Sequence, residues 1–195
     1  PGDSIRVSQA DGITFRRIGA MWSDPASSDN GGYGLYPVRC QKVLIEDCVA
    51  TGASDAGIYV GQSSKILLRR NEVYGNVAGM EIENSFESEA VENHAHDNSV
   101  GIFILSLPGL YLQHGAAAKV HNNVCENNNL ANFADPGNFI FNAPGGTGLL
   151  ILASDTTEVT ENTFRNNGSG GVIIASYLDD YLGARDEIGR ASCRE

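Results

Sequence analysis

Two pairs of side chains in this sequence have the types and the spacing for chemistry. Glu81 and Glu83 stand two residues apart in the run GMEIENS. Residues two apart on a strand share a face, so both carboxylates would project together. Paired carboxyls can do acid–base catalysis on glycosides, although two acids on one face also fit the solvated edge of a strand. His94 and His96 flank Ala95 in the run NHAHDN and would likewise project together. Two imidazoles so placed can chelate a divalent metal ion, with Glu72, Asp97 or Glu126 supplying an oxygen. Surface histidines without a metal are the plainer alternative. A divalent metal ion is the one cofactor these residue types point to.

The element that must position them is a repeat. The stretch Lys65–Ser85, KILLRRNEVYGNVAGMEIENS, is one unit, and its neighbours restate it in both directions. Its opening column reads Ile13, Val43, Ile66, Ser88, Ala118, Thr157, and two residues later come Phe15, Ile45, Leu68, Ala90, Val120, Val159. A glycine then precedes a short apolar strand. Gly34, Gly57, Gly79 and Gly101 are 23, 22 and 22 residues apart, and Gly148 to Gly171 is 23. Short alternating apolar runs at such a period predict stacked coils that bury one another's apolar sides. The fold class expected is all-β, a parallel solenoid of six to seven coils of 22–24 residues, three strands per coil, with three insertion loops.

The column Asn71, Asn93, Asn123, Asn162 reads as structural, because inward asparagines at a bend can hydrogen-bond the backbone where the strands stop. Gly52, Gly75, Asn76, Asn98, Asn128 and Asn167 mark the next corner. The insertions are SDPASSDNGG before Gly34, a stretch after Gly101 with Tyr111 and His114, and a stretch between Asn128 and Gly148 with Phe133, Asp135 and Phe139. Insertions in solenoids map to loops, and loops often form the binding face. The last two should flank the outward residues Tyr59, Glu81 and Phe103. The predicted binding groove is therefore Tyr59, Glu81, Phe103, Tyr111, His114, Phe133, Asp135 and Phe139, shallow and walled by loops.

The phrases VEN, HNNVCENN, VTENTFRNNGSGGVII and GIFIL resemble the right-handed parallel β-helix repeat family, from about Ile5 to Tyr177. Many extracellular carbohydrate-active proteins share that fold. The middle of the chain looks like a bacterial subfamily of exported proteins, often lipoproteins, often encoded beside a c-type cytochrome. The resemblance implies an extracytoplasmic place (periplasmic, secreted or lipid-anchored) and a polysaccharide or another exported protein as partner. It leaves three functions open. The first is recognition of a glycan or protein on the loop-flanked face. The second is a lyase, hydrolase or epimerase acting on polysaccharide. The third is a periplasmic metal- or redox-linked accessory role. The family's best-known catalytic strings are missing: there is no Asp-Pro-His-Asp of alginate epimerases and no Gly-His-Gly of polygalacturonases.

The 195 residues fit one domain, and the net charge of −11 argues against nucleic acid, which demands lysine and arginine at the phosphates. No run is long and apolar enough for a transmembrane helix. Arg69, Arg70, Lys65 and Lys42 could form a basic patch or a solvated strand face. The four cysteines show no zinc-type spacing, and Cys48 and Cys125 fall on inward columns. The expected organisation is a β-helix domain over 1–177 that begins in mid-pattern, a frayed continuation over 178–186, and a tail over 187–195, EIGRASCRE, that resembles a translated sequencing adapter.

Overall fold

The computed structural model describes residues 2–176. The readings made for 178–186 and 187–195 lie outside the described residues. The chain winds as a right-handed parallel β-helix with three sheets. Sheet 1 has seven strands: Ile5–Ser8, Tyr33–Val38, Ala56–Gly61, Ala78–Glu83, Val100–Leu105, Thr147–Leu152 and Gly170–Ala175. Sheet 2 has six: Asp11–Arg16, Gln41–Glu46, Ser64–Arg69, Phe86–Val91, Ala116–His121 and Glu158–Thr160. Sheet 3 has six three-residue strands: Gly19–Met21, Val49–Thr51, Glu72–Tyr74, His94–His96, Val124–Glu126 and Thr163–Arg165.

The apolar columns read from the sequence are the observed register. Ile13 pairs with Val43, Val43 with Ile66, Ile66 with Ser88 and Ser88 with Ala118. Met80 pairs with Ile58 on one side and Ile102 on the other. Their alternation sends Ile66 and Leu68 inward, into a core that runs from Phe15 to Ile151. Each buried Ile, Leu or Val contributes about 1.5–3 kcal/mol, and neighbouring coils supply the burial. Cys40, Cys48 and Cys125 are free and buried. Burial pushes the Cys125 thiol up to about 12, so it packs as a small apolar group.

Single left-handed residues turn the corners. Arg17, Asp47, Arg70, Glu92, Asn122 and Glu161 leave sheet 2 with φ between 52° and 55°. That conformation is unfavourable for a residue with a Cβ, and each corner is held from the adjoining coil. The Asp47 amide donates to Arg69 O at 3.2 Å and the Arg70 amide to Val91 O at 3.2 Å. Inside the corners run two asparagine ladders. Asn71 Nδ2 donates to Asn93 Oδ1, Asn93 Nδ2 to Asn123 Oδ1 and Asn123 Nδ2 to Asn162 Oδ1, each at 2.9 Å. Asn76, Asn98, Asn128 and Asn167 repeat the pattern at 3.0–3.1 Å. The glycine column has a steric cause, since a Cβ on Gly101 would lie 2.5 Å from the carbonyl oxygen of Gly148.

The basic patch is an ion cluster. Glu46 is buried and accepts from Arg16, from Arg69 Nε at 2.6 Å and from Arg70 Nη2 at 3.0 Å. Hydrogen bonds from Arg16 and Arg69 hold its carboxyl below the usual range. Arg69 and Arg70 therefore neutralise an acid of their own chain. No helix among the described residues is long and apolar enough to cross a membrane.

Candidate functional site

The outer face of sheet 1 carries most of the predicted groove, and it divides in two. Over its C-terminal half the expected open groove is absent. The insertion between Asn128 and Gly148 folds onto the sheet and lays Ala134, Ile140 and Ala143 against Phe103, Leu105, Leu150 and Leu152. Phe103 is completely buried there, while Phe133 and Phe139 pack partly buried at the margin. The physical reason is apolarity. Phe103, Leu150 and Leu152 point away from the coil interior and would otherwise face water. Asp135 accepts from the Gly137 amide at 2.7 Å and closes its own turn.

The N-terminal half holds titratable groups instead. Ala78–Glu83 pairs with Ala56–Gly61, setting Glu81 beside Tyr59 and Glu83 beside Gly61. Glu81 and Glu83 share a face, as their spacing requires, but they are buried rather than solvated, at 5% and 7% exposure. Asp55, just before the Ala56–Gly61 strand, completes a group of three acids under three tyrosines. Tyr33 Oη donates to Asp55 Oδ2 at 3.0 Å, and Tyr59 Oη donates to Glu83 Oε2. The rings of Tyr33, Tyr36 and Tyr59 lie 4.5–4.9 Å apart. The Arg6 guanidinium covers Tyr36 at 5.0 Å.

Burial dominates the electrostatics. It pushes Asp55 up to about 6, against the hydrogen bonds from Tyr33 and Glu81. Glu81 is raised well above the ordinary carboxylate range by burial and then by the charges of Asp55 and Glu83. Glu83 is raised by burial, against the Tyr59 hydrogen bond. The phenols of Tyr33 and Tyr59 are pushed up by burial and by the neighbouring acids. The Glu81 and Asp55 carboxyls adjoin closely enough for a hydrogen bond between them whenever one is protonated. Glu81 Oε2 is buried without a partner. All three acids of the cluster are thus held above the ordinary carboxylate range, and Glu81 keeps an acceptor to spare.

Beside it, at the corner between sheets 1 and 2, opens a cleft of about 500 Å³ lined by Arg39, Gln41, Gln62, Phe86, Tyr111 and Leu112. Gln62 follows directly on the strand that bears Tyr59. Its Oε1 accepts from the Tyr111 amide at 2.9 Å, and Arg39 lies 5.2 Å from the centre of the Tyr111 ring. Asn84 clamps the loop, donating to Leu107 O and Leu112 O at 2.8 and 2.6 Å. His114 sets its ring edge-on to Phe86 at 5.3 Å. An aromatic face, a guanidinium and side-chain amides are the groups that bind a sugar ring and its hydroxyls.

The structure therefore separates the predicted groove. Tyr59 and Glu81 join the acid cluster, Tyr111 lines the cleft while His114 packs on Phe86 of its wall, and Phe103 lies buried beneath the insertion with Phe133 and Phe139 at the margin. Sequence reasoning missed Asp55, Tyr33, Arg39 and Gln62. One signal was present for Asp55: Ala56 pairs with Ala78, so an acid stands in the column of the apolar Val77. His94 and His96 lie apart, on the outer face of sheet 3. With Glu72 they form a group whose ligand atoms lie within 4.8 Å of one another, a donor set that a metal ion can use.

No curated protein sequence matches the chain. Among solved structures, a mutant of the periplasmic alginate epimerase AlgG superposes with a TM-score of 0.66 at 16% identity, covering 94% of this chain and 37% of that one. The A-module of the Azotobacter vinelandii mannuronan C-5 epimerase AlgE4 superposes with a TM-score of 0.55 at 15% identity, covering 88% of this chain and 44% of that one. The chain thus spans less than half the length of either, and likeness at this identity establishes the solenoid alone. The family model described as the right handed beta helix region matches residues 2–107 and 28–181. With the three parallel sheets and their ladders, that match places this chain in the right-handed β-helix family.

Proposed function

We propose that the chain is a section of an extracytoplasmic, polysaccharide-active enzyme of the epimerase or lyase kind, with the outer face of sheet 1 as its active face. The observation that carries this reading is the buried group of Asp55, Glu81 and Glu83 hydrogen-bonded to Tyr33 and Tyr59. Both reactions begin by breaking a C–H bond next to a sugar carboxylate, with the proton passing to a base and negative charge gathering on the carboxylate oxygens. A carboxyl held protonated can donate a hydrogen bond to those oxygens where an ionised one would repel them. Glu81, the more strongly raised of the pair it forms with Asp55, supplies that donor. The Tyr59–Glu83 pair supplies an acceptor for the proton and a phenol to return one. Loss of the neighbouring glycosidic oxygen, which takes its proton from the Tyr59 phenol, gives a lyase product, whereas epimerisation requires a solvent water to deliver the proton to the opposite face of the ring. The protonated acids also relieve the conflict between a polyanionic substrate and the chain's net charge of −11.

A second reading is recognition of a glycan or an exported protein without turnover. It is favoured by the burial of Glu81 and Glu83 beside an open, aromatic cleft. One experiment separates the two. The full chain is incubated in D₂O with uronate-rich and neutral polysaccharides, and deuterium at the carbon beside the carboxylate is read by NMR alongside unsaturated ends by ultraviolet absorbance. Incorporation or cleavage that Glu81→Gln and Tyr59→Phe abolish, with binding retained, supports the enzyme. Binding without either product supports recognition, and neither binding nor product across the panel defeats both.

A further inference from the structure

We propose that Glu72, His94 and His96 form a site for one borderline-soft divalent cation of the zinc or copper kind, on the outer face of sheet 3. The inference goes beyond the reading of sheet 1 and uses none of its residues. Glu72 and His94 are direct partners across the parallel ladder, and His96 follows on the same face. His96 Nε2 lies 3.4 Å from Glu72 Oε1. Two ligands on a tetrahedral zinc ion, each at about 2.05 Å, stand about 3.3 Å apart, so this pair already has a chelating separation. The His94 and His96 ring centroids are 4.3 Å apart.

The surroundings orient the rings. His96 Nδ1 faces Asp97 Oδ2 at 2.7 Å, and the Tyr74 ring stacks on it at 5.2 Å with planes inclined by 13°. His94 Nε2 faces Glu126 Oε1 at 3.0 Å, and Glu126 is anchored by Arg165 Nε at 2.7 Å. A carboxylate against the far nitrogen of an imidazole fixes its tautomer and raises its basicity as a ligand. One nitrogen of each ring is held in this way, and the other remains for an ion. Among the described residues of this face, Glu72, Asp97 and Glu126 outweigh Arg165, so the surroundings suit a cation. Two imidazoles and a carboxylate match zinc or copper, whereas calcium and magnesium take sets built of oxygen. The other histidines lie elsewhere, His121 facing Glu89 on sheet 2 and His114 against Phe86.

The test strips the full chain with chelator and titrates it with zinc ion alone, read by calorimetry and by metal content after dialysis. The expected result is one zinc per chain, no stoichiometric calcium, and loss of binding when His94 and His96 are both replaced by Ala. His121→Ala should bind as the parent does. Asp97→Asn should weaken binding about tenfold to hundredfold, the effect of losing a carboxylate behind a ligating histidine. Absence of stoichiometric zinc, or zinc retained by the double variant, overturns the proposal. Should that variant lose its far-ultraviolet circular dichroism, Glu72→Gln takes its place, and affinity unchanged there overturns the proposal equally.

Discussion

Replacing Asp55 with Asn tests the electrostatics of sheet 1 with little change of shape. The amide can still accept from Tyr33 and donate to Glu81. In the folded protein the Asp55 carboxyl is raised from 3.8 to about 6. A carboxyl raised on folding holds its proton more tightly folded than unfolded. Its stabilising contribution is fully present below the unfolded value and is lost as the pH climbs through the folded one. The whole shift corresponds to about 3 kcal/mol, of which about 2 kcal/mol falls between pH 4.5 and 7.5. Glu46, Asp47 and Glu126 are shifted the other way by Arg16, Arg70 and Arg165 respectively. Their contributions are lost only on acidification past the ordinary carboxylate range, outside that window. The assay is urea unfolding at several pH values for the parent and for Asp55→Asn. Glu81 and Glu83 are raised in both proteins, and Glu81 less so in the variant, which lacks the Asp55 charge; the parent should therefore lose at least about 2 kcal/mol more than the variant does over that interval. Parallel stability curves for the two proteins would refute the reasoning, because Asp55 would then titrate alike folded and unfolded.

Two further outcomes follow from the ladders. Asn93→Ala strands the amide and side-chain donors of Asn71 and the carbonyl of Leu68 in a buried corner. It should cost about 3–4 kcal/mol in urea unfolding, while Asn162→Ala, at a half-exposed rung, should cost about 1 kcal/mol; equal losses would show that burial is not what makes the ladder strong. Gly101→Ala drives a methyl group into the Gly148 carbonyl 2.5 Å away, which should cost about 3 kcal/mol, read by the same assay, and a neutral result would mean that the coils can part without penalty.

What was legible in the sequence was whatever recurs. The Ile66 and Leu68 columns, the asparagine corners and the glycine column each repeat a local physical requirement once per coil, so a period of 22 or 23 exposes them. The pairing of Glu81 with Glu83 and of His94 with His96 on shared faces was equally legible, since it needs only the strand period. The environments of those faces were not. Nothing in the repeat says that the stretch from Asn128 to Gly148 turns back over Phe103 rather than standing beside it, because its resting place depends on what its phenylalanines and Ile140 can cover. Nor does the repeat announce that Tyr33, two coils from Glu81 along sheet 1, arrives over Asp55 and joins the acid cluster. Arg69 and Arg70 looked like surface charge because Glu46, their partner, belongs to the preceding coil.

The strict register of the coils between Ala56 and Leu105 makes length a free variable. Met80 stands at once in register with Ile58 and with Ile102. Excising the 22 residues from one glycine to the next, Gly79 to Gly101, would leave every remaining column matched, and duplicating them would do the same. Each such edit shortens or lengthens the rod by one strand spacing, about 4.8 Å. A gene that gains or loses whole coils can therefore change the length of its product while the inward columns stay in register, and what changes with length is the outer face, since Glu83 and Asn84 leave with their coil.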